Sequence, residues 1–160
     1  MTEFIIGENT FRARPFDADV HIGLMLKLAP VFTALATAAP DIMAALAESK
    51  VGEGGGAGVG TDALGRLGSA VMPVSREIAA LDRTGDAKSV IDACLDATEQ
   101  FADGKWFKVR TPGGAISNRD NAGYAAKLQI TFAVLKANFG PMVAGFGVDV
   151  DALFGVAPSA

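Results

Sequence analysis

The stretch 17–29, which reads DADVHIGLMLKLA, restricts the fold of this chain more than any other. At helical spacing Val20, Leu24 and Leu28 form one stripe, and Ile22, Met25, Leu26 and Ala29 form another. Apolar groups therefore cover roughly two thirds of the circumference, whereas a surface helix needs a stripe of little more than about 100°. Such a helix must be covered on more than one side. Of the 160 residues 50% are hydrophobic, 20% are charged and only 8% are aromatic, a balance of small aliphatic side chains that favours close-packed helices over a sandwich. A chain of this length buries about 70% of its unfolded surface and fits one domain. The predicted fold is mainly α: a single-domain helical bundle over 1–160 with two short β-hairpins.

Upstream, EFII and TFRARPF flank Gly7-Glu8-Asn9 and alternate apolar with polar residues, which predicts the first hairpin. Pro15 pushes Arg14 out of helical geometry, Asp17 is a suitable N-cap, and Asp19 adds negative charge to the first turn. Pro30 is expected to end or bend this helix, and Pro40 to divide the Ala-rich stretch after it into two short helices or one kinked one. The segment 51–60, VGEGGGAGVG, predicts a flexible glycine-rich loop. Helix resumes near Thr61 or Asp62 and is interrupted at Pro73.

The segment 86–103 reads as one amphipathic helix, with Thr84 as candidate N-cap and Gly104 as stop. Val90, Ile91, Cys94, Leu95, Thr98 and Phe101 lie on its apolar face. KWFKVR and AISN around Thr111-Pro112-Gly113-Gly114 predict the second hairpin. A last long helix is expected over 121–139, stopped by Gly140-Pro141, with Ile130 and Val134 on the smaller of its two apolar stripes. A short helix at 149–154 precedes a frayed end at 155–160.

The chemistry of the chain is mostly exclusion. His21 is the sole histidine and Cys94 the sole cysteine, so neither a multi-histidine metal site nor an internal disulfide can form. A lone thiol fits a reducing cytosol. Residues 58–63 match G-x-G-x-x-A, but no strand is predicted ahead of them, and Thr61 stands where a phosphate loop needs lysine. The pairs Asp17/Asp19 and Asp149/Asp151 do not continue into a calcium loop. A net charge of −4, with Lys105, Lys108 and Arg110 as the longest basic grouping, speaks against nucleic acid, and Trp106 and Phe107 read as hairpin anchors. No catalytic, cofactor-binding or metal-binding residue is assigned. The start lacks the basic-then-apolar order of an export signal. The uncharged stretch 28–40 is interrupted by proline and shorter than the ~20 residues of a membrane span, so the chain is read as soluble.

IGENTFRARPFDADVHIGLMLKLAPVFTAL, then IDACLDATEQ, then KWFKV with PGG, then LKANFGPMV together resemble the tail assembly chaperones of long-tailed bacteriophages. The resemblance covers most of the chain in order, through hydrophobic patterns rather than invariant chemistry. The glycine loop and its Ala-rich surroundings depart from it. It implies a non-catalytic protein of the host bacterial cytoplasm that binds the tape-measure protein during tail assembly and is absent from the mature virion, with the tail-tube protein as a further partner. The residues themselves agree, since helices with more apolar girth than a core needs supply a client surface or assemble into a homo-oligomer. Val20, Leu24, Met25, Leu28, Ile130 and Val134 are the expected partner-binding residues, a role weighed against simple burial in the bundle. A small structural tail or head-tail joining protein is the alternative, which purified particles would contain. A motif-less enzyme, losing turnover on changes at His21 or Asp19, is a further one.

Overall fold

In the computed structural model, which describes residues 1–51, 61–118 and 123–145, the chain opens as a hairpin of β1 (Thr2–Ile6) and β2 (Asn9–Ala13). Ile6 faces Asn9 across a two-residue turn in which Gly7 takes φ 60°, as the first central residue of a type II′ turn requires. Phe4 and Phe11 pair across the strands, stack with centroids 5.6 Å apart, and are buried. Their neighbours Glu3, Ile5 and Arg12 belong to the opposite face, the period-two alternation of a half-covered sheet.

β3 (Thr98–Ala102) returns beside β2, with Phe11 opposite Gln100 and Ala13 opposite Thr98, and β4 (Lys105–Lys108) follows it. The result is one four-stranded antiparallel sheet in the order β1-β2-β3-β4, where two separate hairpins were expected. Across its outer face the register sets Glu3, Arg12, Glu99 and Lys108 in a row of alternating charge over all four strands, the favourable cross-strand arrangement. Arg12 Nε donates to Glu99 Oε2 at 2.6 Å, and its guanidinium lies 4.4 Å above the Trp106 ring. The expected partner of KWFK was AISN. Its actual partner is β3, and the TPGG turn closes only a single bridge between Arg110 and Ile116.

The helix expected over 86–103 is corrected to α3 (Asp86–Asp96). Thr98 and Phe101 share a face at helical spacing, but on a strand they fall on opposite faces, with Thr98 and Gln100 buried and Glu99 and Phe101 not. The turn decides between them: Asp103 and Gly104 take φ 49° and 75°, both positive, as in a type I′ hairpin turn. Thr84 is not the N-cap of α3 either. Gly85 holds that position, and the Thr84 hydroxyl donates to Asp86 Oδ2 at 2.8 Å.

Three further helices are longer than the sequence suggested. α1 (Ala18–Val51) passes through Pro30 and Pro40, α2 (Thr61–Thr84) through Pro73, and α4 (Tyr124–Ala144) through Gly140 and Pro141. All four prolines are exposed, where water can take the place of the hydrogen bond that each removes. The glycine-rich loop lies outside the described residues except for Val51, and the tail helix expected at 149–154 and the end at 155–160 lie outside them too.

One face of the sheet carries the core. Val90, Cys94 and Leu95 of α3, Ile130, Val134 and Phe139 of α4, and Leu24 and Leu28 of α1 close over Phe4, Phe11 and Ala13. Lys27 latches α1 to α3, its Nζ lying 2.9 Å from both Asp86 Oδ1 and Ser89 Oγ. Beyond this core α1 and α2 pack on one another. Leu28, Val31, Leu35, Ala38, Ile42 and Ala45 are covered at alternating three- and four-residue spacing, and Leu67, Ala70, Val74, Glu77 and Leu81 repeat it in half-buried positions on α2. This is the spacing of a coiled-coil seam.

Candidate partner-binding surface

The first half of α1 divides between core and solvent. Leu24 and Leu28 are 4% and 5% exposed, packed within the core. Ile22 and Leu26, off that face, are 55% and 71% exposed, and Val20 and Met25 are exposed as well. Of the residues expected to bind a partner, Val20 and Met25 are therefore on the surface. Leu24, Leu28, Ile130 and Val134 are not: they are core residues of the folded chain, reachable only if α1, α3 and α4 part. The reason is the position of the core cluster, which closes over the Leu24 stripe and leaves the Ile22 stripe uncovered. Ile22 and Leu26 are the surface residues that the sequence reading did not select, although it placed both on the second stripe of this helix.

Over Ala18–Ile42, α1 is long and apolar enough to cross a membrane, with mean hydropathy 1.7 and 22% of the window buried. The sequence reading, which broke the segment at its prolines, had set this aside. The covered side of that window forms part of the core, and Lys27 in its middle is ion-paired to α3. Both are features of a helix packed in a folded domain, with one side of its apolar girth left open.

The side chains considered for chemistry are dispersed. Cys94 is fully buried, and burial pushes its thiol up to about 12, which keeps it protonated and a poor nucleophile or metal ligand at neutral pH. His21 packs among rings, 4.5 Å from Phe139 and 6.5 Å from Phe16 between centroids. Hydrogen bonds from Lys27 and Thr84 hold the Asp86 carboxyl below its usual range. Among the described residues no group of three or more His, Cys, Asp or Glu is placed to hold a metal ion. The element ahead of residues 58–63 is α1, a helix where a dinucleotide fold has a strand. Trp106 and Phe107 fall on opposite sheet faces, so they cannot form one stacking platform. An open groove of 370 Å³ at the sheet edge, missed in the sequence, is lined by Gln100, Phe107, Thr111 and Pro112 among others. Its Gln100 amide donates to Asn9 Oδ1 at 2.9 Å.

Apolar helix surface is thus left uncovered beside a folded core, the kind of surface that marks contacts with other macromolecules. The family model described as phage tail assembly chaperone protein, TAC, matches residues 7–147, and the chain belongs to that family. The match begins after β1 and takes in every later element, from β2 to α4. No curated protein and no solved structure matches the chain.

Proposed function

We propose that the protein keeps the tape-measure protein of a long-tailed phage soluble while the tail assembles, acting by binding and without catalysis. The observation that carries this reading is the exposed stripe of α1, where Ile22, Met25 and Leu26 stand in solvent beside a core that is already complete. A client helix laid on that stripe hides apolar surface that would otherwise drive the client to self-associate. Met25 suits such a contact because a flexible thioether adapts to varied partners. The tail-tube protein is the second partner in this reading, the host bacterial cytoplasm is the place of action, and the finished virion contains no copy of the chain.

Co-expression tests it. The tape-measure protein should partition to the soluble fraction with this protein and to the pellet without it. A Met25→Ser/Leu26→Ser double variant should remain folded by circular dichroism, since both side chains are exposed, and should leave most of the client insoluble. Protection equal to that of the unmodified protein would exclude this stripe as the contact. A client that pellets alongside the unmodified protein rejects the chaperone reading. Stoichiometric recovery of the chain from purified particles favours a structural tail component instead.

A further inference from the structure

Between Val20 and Pro40 the exposed face of α1 is uncharged, and acidic residues flank that stretch on either side. Among the described residues from Val20 to Pro40 the only charged side chain is Lys27, and it is engaged by Asp86 and Ser89 of α3. Asp17 and Asp19 stand exposed where the helix begins, and Asp41 stands exposed beyond the apolar stretch. Asp19 and Asp41 are separated by about 33 Å at helical rise.

We infer that this face takes a basic amphipathic helix, whose apolar stripe covers Ile22, Met25 and Leu26 and whose Lys or Arg side chains meet Asp17 and Asp19 at one end and Asp41 at the other. The inference rests on the client-binding reading and specifies the client segment. Charge selects this occupant over the others. A second copy paired antiparallel about the middle of the face sets carboxylate against carboxylate at both ends. An anionic bilayer surface meets the same acids. A helix with basic ends gains at each. Arg76 and Arg83 of the neighbouring helix are exposed away from its Leu67–Val74–Leu81 seam with α1 and so lie off this face.

Two synthetic helices of about six turns, identical in their Leu/Ala stripe but ending in Lys pairs or in Glu pairs, probe the face by fluorescence anisotropy with the full-length protein. The Lys-ended peptide should bind about tenfold more tightly at low salt, and the margin should shrink as ionic strength rises. Asp19→Lys/Asp41→Lys, at two exposed positions, should reverse the preference with the circular dichroism unchanged. Leu26→Ser should weaken both peptides. Equal affinity for the two peptides, or a preference that the double reversal leaves in place, overturns the inference. So does self-association that Leu26→Ser abolishes, which gives the face to a second copy, or insertion into anionic vesicles, which gives it to a bilayer. Loss of the charge preference with the co-expressed client still soluble rejects this inference alone, whereas an insoluble client rejects the reading beneath it.

Discussion

Cys94 shows how a single side chain reports on the whole core. Its place on the apolar face of α3 was legible from spacing, and its burial follows from the sheet and α4 closing over that face. The thiol is raised to about 12 by burial, against about 8.5 in an unfolded chain. The unfolded state therefore releases a proton above about pH 8.5 that the folded state retains. Stability is full below that pH and falls by roughly 1.4 kcal/mol per pH unit up to about pH 12. Urea melts from pH 8 to 11 should show this slope, and Cys94→Ala should remove it at a cost of about 1 kcal/mol at neutral pH. A thiol reagent should label native Cys94 only as fast as the core opens. His21 differs, because no pattern in the sequence showed that Phe16 and Phe139, distant in the chain, would share a ring cluster with it.

At the scale of elements, local chemistry placed the first hairpin and the start of α1 well and misplaced the end of α3. The amphipathic pattern of 86–96 was real, but its extension to Thr98 and Phe101 joined two residues that a strand puts on opposite faces, and the Asp103-Gly104 pair carried the deciding signal. Gly104→Ala forces a Cβ into φ 75° and should cost about 1–2 kcal/mol. Gly113→Ala has no positive φ to oppose it and should stay within about 0.5 kcal/mol in the same denaturant series. The prolines were misread for a related reason. A proline costs a helix interior about 3 kcal/mol through a lost hydrogen bond and a clash with the preceding turn, and whether packing outweighs that cost is a property of the whole molecule. Pro30, Pro40, Pro73 and Pro141 are all exposed, and the helices continue through them.

Over the whole molecule, stability should be uneven. The core cluster takes its fully buried residues from the sheet, α3, α4 and the first half of α1, while no residue of 65–84 in α2 is fully buried. Native-state hydrogen exchange should therefore find amides of 65–80 opening well before those of α3 and the middle of α4, since few buried apolar contacts hold that arm closed. Uniform protection across α2 and α3 would show that the arm unfolds only with the core. The sequence by itself determined that α1 has apolar girth on two sides, that the chain is mainly helical, that Cys94 faces inward, and that α1 begins with acidic residues. These are local facts of composition and period. The tertiary structure decided which stripe of α1 is core and which is surface, because Leu24 and Ile22 are equally apolar and differ only in whether the core cluster closes over them. It also joined the strands on either side of the inserted helices into one sheet, since pairing of Ala13 with Thr98 is set by packing and by no signal within either strand.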